Sequence, residues 1–167
     1  QDERFLRGAV GARHGRALAG LFERARTGGF DAVVLVLASG GVRLHEANAA
    51  ELELARALRA LVDTRAGGVP VVAIAAGDVF GGASVLACAC DRLGLLPDVR
   101  FGLSGPAVIE AARGRAELTS EDADAVAAVF GAPARARHGV ADLVADEATA
   151  LRAWIDAAVR SARPFER

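Results

Sequence analysis

The chain has 167 residues, of which 53% are hydrophobic and 25% charged. That is enough for one domain with a sizeable core, and it excludes a disordered chain. The formal net charge of -1 gives no overall pull toward nucleic acid or an anionic membrane. No stretch reaches the ~20 uninterrupted apolar residues of a membrane span, and no signal peptide is legible, so the cytoplasm is the expected location. All 20 basic residues are Arg, and Met is absent. The bias reads as GC-rich bacterial coding, and the start at Gln1 as a trimmed or processed piece of something longer. Cys88 and Cys90 form a C-x-C with no other Cys, which excludes a disulfide framework and leaves a zinc site without ligands. Both are read as small buried thiols on an apolar helix.

In chain order, Leu18, Leu21, Phe22 and Ala25 recur at helical spacing between Gly11 and Arg26, and Gly28-Gly29 ends the run. Residues 32–37 (AVVLVL) read as a strand buried on both faces. Ser39-Gly40-Gly41 follows, then a helix over 48–63 with Leu52, Leu54, Ala55, Leu58 and Leu61 available for its inner face. Residues 69–75 (VPVVAIA) form a second buried strand, Phe80-Gly81-Gly82 a second glycine turn, and 83–90 a small-residue helix. Short strands follow at 93–96 and 99–101. Pro106 opens a helix at a position where its missing N–H costs nothing. Thr119 with Asp122 resembles a capping box for a helix running to Val129. Leu143-Val144 reads as an edge strand and 148–162 as a closing helix with Trp154. The repeated order strand, glycine turn, helix predicts an α/β fold with a largely parallel sheet in a single domain over 1–167.

The two glycine turns carry the chemistry. A turn between a buried strand and a helix leaves backbone N–H groups unpaired, and glycine has no Cβ to keep a ligand away. Two such turns side by side would aim paired donors at one oxygen, as an oxyanion hole does. A plain strand-to-helix turn is the alternative, since glycine is common there. Competing motifs fail: a P-loop needs Lys, no G-x-G-x-x-G follows a strand, and Ala49 replaces the second His of a zinc-protease motif. Arg43 and Glu46 stand three apart and can pair, so Arg43 either braces the loop or meets a carboxylate. His45 could serve as acid or base, though a lone His is more often a surface residue. Glu110, one turn into its helix, suits the dipole there. His14 and His138 receive no role.

At this point the residues resemble a family. The segment from Ser39 to Asn48 (SGGVRLHEAN), the Phe80-Gly81-Gly82-Ala83-Ser84 turn and the stretch from Phe101 to Glu110 (FGLSGPAVIE) look like three motifs of carboxyltransferase β subunits. The first is most similar to the β subunit of malonate decarboxylase. His45 stands where relatives usually have Gln, Ala107 where malonate decarboxylases tend to have Glu, and the usual N-terminal strand region is missing.

The resemblance implies a crotonase-like (ClpP/crotonase) spiral of ββα units, possibly shortened at its N-terminus. It implies decarboxylation of a malonyl thioester to the acetyl thioester, with the enolate held by backbone N–H groups. The matching positions are Gly40, Gly41, Gly81 and Gly82. Val42, Arg43, Phe80, Ala83, Ser104 and Gly105 would line the thioester, with His45, Glu46 and Glu110 behind them. No metal or directly bound cofactor is implied. The substrate would ride on a CoA-like or phosphopantetheine arm of an acyl carrier protein, and a γ (or α) carboxyltransferase-type subunit would complete the site. Three rivals remain open: transfer of the carboxyl group to biotin, a crotonase-like hydratase or isomerase, and a subunit that only binds its partner.

Overall fold

In the computed structural model, residues 6–162 are described. Five strands form one sheet in the order β1-β2-β3-β5, with β4 also on β2. They are β1 (Val33–Ser39), β2 (Val71–Phe80), β3 (Arg92–Leu95), β4 (Phe101–Gly102) and β5 (Asp142–Leu143). Every pairing is parallel, as helix-linked strands require. The helices are α1 (Ala12–Thr27), α2 (Asn48–Ala66), α3 (Gly82–Cys88), α4 (Pro106–Arg113), α5 (Ala123–Phe130), α6 (Ala132–Arg137) and α7 (Ala148–Ser161).

The core forms where the apolar stripes of α1 and α2 meet the sheet. Phe22, Leu61, Val71, Val79, Leu86 and Leu95 are fully buried there. Thr64 is buried with them because its hydroxyl donates to the Phe22 and Ala60 carbonyls. A smaller cluster of Leu118, Val126 and Phe130 packs against Phe80 and Ile109. It ties α4 and α5 to the end of β2, beside the second glycine turn.

Six features depart from the reading of the sequence. Of the residues available for the inner face of α2, Leu52 and Ala55 are exposed. Among the described residues strand β1 pairs only with β2, and Val34 and Val36 are 41% and 71% exposed, so the apolar run is buried on one face only. Strand β2 runs five residues past Ala75. There the Val79 N–H donates to the Arg100 carbonyl and the Asp78 carboxylate accepts the Arg100 N–H at 2.9 Å. The arriving partner segment keeps Gly77-Asp78 extended. Helix α5 is capped by Asp122, whose carboxylate accepts the Ala125 N–H at 3.0 Å, while the Thr119 hydroxyl donates to the Arg115 carbonyl. Helix α6 was not foreseen; Pro133 sits in its first turn, where proline fits. Finally, Cys88 is exposed and only Cys90 is buried. Burial pushes the Cys90 thiol up to about 12.

The cysteine contrast is testable. In the folded protein at neutral pH, iodoacetamide is expected to label Cys88 and spare Cys90 until denaturant is added, as peptide mass mapping would report. Equal labelling of both would contradict this packing.

Candidate functional site

The two glycine turns lie against each other. Gly41 has φ +113° and Gly81 φ +60°, conformations that L side chains rarely adopt. A Cβ built on Gly81 would sit 3.0 Å from the Gly41 Cα, and one on Gly41 would sit 3.3 Å from the Phe80 oxygen. The turns therefore touch backbone to backbone, and side chains at either position would part them.

Each turn is fixed by hydrogen bonds within the fold. The Gly40 N–H donates to the Arg7 carbonyl at 2.7 Å, and the Gly41 N–H to the Ser39 hydroxyl oxygen at 3.2 Å. The buried Ser39 hydroxyl donates in turn to the Gly8 carbonyl at 2.9 Å. The Gly81 N–H donates to the Leu103 carbonyl at 2.8 Å. These bonds correct the expectation for Gly40, Gly41 and Gly81: their N–H groups shape the turns and are already engaged. The N–H groups without an acceptor among the described residues are those of Val42 and Gly82, one residue further along each turn. The two residues are neighbours, since the Cβ position of Gly81 lies 3.8 Å from the Val42 nitrogen and that of Gly82 lies 2.7 Å from a Val42 methyl.

Beside the turns lies a cavity of about 660 Å³ whose wall includes Arg7, Gly40, Asp78, Phe80, Arg100 and Gly105. Phe80 meets Phe130 edge-on at 5.8 Å between ring centres, which fixes the aromatic part of that wall. Asp78 and Arg100 form an ion pair, so both charges there are satisfied. Ala107, at the position where the resemblance leads one to expect Glu, is also in the wall.

The remaining sequence candidates divide. Arg43 is engaged within the fold: its Nε donates to the Ala9 carbonyl at 3.0 Å and its Nη1 to the Glu46 carboxylate at 3.2 Å. Glu46 accepts the Ala12 N–H at 2.7 Å, so it caps the start of α1. That N–H, helped by Arg43, holds its carboxyl below the ordinary carboxylate value. His45 and Ser104 are exposed. Ala83 is buried and faces a second, apolar cavity of about 390 Å³ between α1, β1 and α3. Glu110 accepts the Ser120 N–H at 2.7 Å. The Ser120 hydroxyl, together with that N–H, holds the carboxyl below its usual value, and the contact fixes the segment between α4 and α5. Sequence reasoning missed Ser39 as the brace of the first turn and Arg7 as part of the wall. It also missed His14, whose Nδ1 accepts the Gly11 N–H at 3.2 Å. Ser39 was in view as a turn residue, but nothing in its spacing showed a buried hydroxyl bonded to both sides. No group of three or more His, Cys, Asp or Glu among the described residues is placed to hold a metal.

No family model matches the chain. It is nevertheless 40% identical over 93 residues to the malonyl-S-ACP:biotin-protein carboxyltransferase of Malonomonas rubra, covering 54% of this chain and 29% of that protein. To an acetyl-coenzyme A carboxylase carboxyl transferase subunit beta of Rubrobacter xylanophilus it is 34% identical over 110 residues, covering 65% and 42%. Its structure superposes on a Pseudomonas malonate decarboxylase hetero-dimer with TM-score 0.82 and 30% identity, over 99% of this chain and 71% of that one. The chain belongs to the crotonase-like carboxyltransferase family. A Pseudomonas malonate decarboxylase hetero-tetramer in complex with malonate matches with TM-score 0.89 and 33% identity, over 98% of this chain and 61% of the other. This carboxyltransferase-type chain thus spans less than half the length of the two curated relatives named here, and the fold expected from the resemblance is the one observed.

Two outcomes test the geometry. Gly81→Ala is expected to destabilise the protein by about 1–3 kcal/mol, beyond the cost of Gly29→Ala. Gly29 has a similar φ of +70° and open space around it, so urea unfolding of the pair separates turn contact from backbone strain. For Glu46 the folded value lies below the ordinary 4.5. Its contribution is therefore present above that pH and lost as pH falls through the folded value. Glu46→Gln should melt lower at neutral pH and show a shallower acid limb in thermal unfolding.

Proposed function

We propose that the chain is the β-type subunit of a malonate decarboxylase, acting on a malonyl thioester carried by an acyl carrier protein and completed by a γ-type carboxyltransferase partner. The observation that carries this reading is the pair of N–H groups at Val42 and Gly82, which have no acceptor among the described residues, in two touching turns whose Gly40 and Phe80 line a cavity of about 660 Å³. In the reaction the bond between the α-carbon and the carboxylate breaks. Its electron pair moves onto the thioester carbonyl, CO₂ leaves neutral, and one proton then adds to the α-carbon to give the acetyl thioester. Negative charge grows on the thioester oxygen, where fixed N–H donors stabilise it without reorganising.

Acid–base chemistry of a hydratase or isomerase has less support. It needs a carboxylate free to reach the α-carbon, and Asp78, Glu46 and Glu110 are each bonded within the fold. A purely structural subunit has less support as well, because the turns are held open by dedicated bonds and the cavity beside them persists. Carboxyl transfer to biotin stays as a second reading, favoured by the 40% identity to a biotin-protein carboxyltransferase. It shares the decarboxylation half and differs only in what captures the CO₂.

The test is CO₂ release from a malonyl thioester by this chain co-purified with the subunit it captures. Release by the pair without biotin supports decarboxylation. Release only when a biotinylated carrier is added supports transfer, and none in either case removes both readings. Within that assay, Gly82→Pro deletes the N–H and Gly82→Ala keeps it, and both add the Cβ that would crowd Leu54 and Val42. The proline variant is expected to turn over about 100-fold more slowly than the alanine variant, with partner binding kept. Equal rates would take this donor out of the mechanism.

A further inference from the structure

One cation on the cavity wall remains without a role. Arg100 is neutralised by Asp78, whereas the Arg7 guanidinium has no acceptor among the described residues. Its backbone is held in the left-handed region, at φ 51° and ψ 40°, where a residue with a Cβ is disfavoured and glycine is at ease. The bonds that hold it there belong to the first turn: the Arg7 carbonyl accepts the Gly40 N–H, and the Gly8 carbonyl accepts the Ser39 hydroxyl. The side chain is exposed and adds nothing to the core, so the fold alone would be better served by glycine. The arginine makes sense through the cavity it lines.

We propose that Arg7 binds the free carboxylate of an acidic acyl group presented as its thioester, and so sets the preference for malonyl over uncharged acyl chains. This rests on the decarboxylation reading above. The root of the side chain identifies which anion it meets. Arg7 is bonded directly to Gly40, two residues before the Val42 N–H. In a malonyl thioester the carboxylate and the carbonyl oxygen are separated by a single methylene carbon, so one acyl group can meet both. A phosphate of the carrier arm lies at the far end of a long flexible chain instead. Arg7 is a binding residue in this scheme, not a driver of bond breaking. Its ion pair stabilises the carboxylate before reaction and weakens as that charge leaves for the thioester oxygen. The signature is a split between KM and kcat.

The experiment uses the chain with its captured partner, malonyl-CoA as substrate and acetyl-CoA as product inhibitor. Arg7→Gly is the informative variant because glycine relieves the backbone and should melt no lower than the parent. The expected result is a rise of about tenfold or more in KM for malonyl-CoA, with acetyl-CoA inhibition shifted less than about twofold, since an unpaired carboxylate loses a charge-assisted bond. Turnover at saturation should not fall, and Arg7→Lys should recover part of the KM. An unchanged KM in an active Arg7→Gly enzyme overturns this inference alone. An equal rise in KM and in the acetyl-CoA inhibition constant overturns it too, because it places the guanidinium on the carrier's phosphates. Absence of CO₂ release by the parent complex overturns the decarboxylation reading and this inference with it.

Discussion

The site depends on the backbone contact between Gly41 and Gly81. Two strand-to-helix turns, forty residues apart in sequence (roughly, by the numbering), can approach this closely only if neither carries a Cβ. Parallel pairing makes the meeting possible. In a parallel sheet the C-terminal ends of neighbouring strands lie on the same side, so the turns leaving β1 and β2 emerge together. The register carries β1 to Ser39 opposite Val79, and the turns follow from there.

That contact also decides which groups are available to a ligand. Glycine N–H groups look like the natural donors, yet a turn this tight needs its own hydrogen bonds. Arg7, Ser39 and Leu103 take those of Gly40, Gly41 and Gly81. The next N–H along each turn, at Val42 and Gly82, has no acceptor among the described residues. The glycines thus act by geometry, and the donors they present belong partly to their neighbours. The same logic applies to Arg43 and Glu46, which tie the loop after the first turn to the start of α1. A network of this kind supports a site without contacting what binds there.

Around the turns, different parts of the chain contribute different constraints. Helices α1 and α2 supply the bulk of the buried apolar surface. The smaller cluster around Phe130 fixes Phe80 and so the cavity wall. Strand β1, by contrast, leaves Val34 and Val36 uncovered at the sheet edge. The segment before α1 enters the site itself, through the Arg7 carbonyl and side chain.

By itself, the sequence determined the succession of buried strands, glycine turns and helices, because apolar periodicity and glycine placement are local properties of the chain. It also carried the family resemblance, through three motifs in order around Gly40, Gly81 and Gly105. Only the tertiary structure decided what depends on distant partners. Strand β2 continues through Gly77 and Asp78 because Arg100 arrives beside it. Strand β1 is an edge because, among the described residues, no strand pairs on its far side. The spacing of Arg43 and Glu46 showed that the two could pair, but only the fold brings the Ala9 carbonyl to Arg43 and the Ala12 N–H to Glu46. The assignment of free and engaged N–H groups follows the same rule. A hydrogen bond is satisfied by whichever acceptor the folded chain brings close, and at these turns the acceptors on Arg7 and Leu103 come from a distance while Ser39 is local.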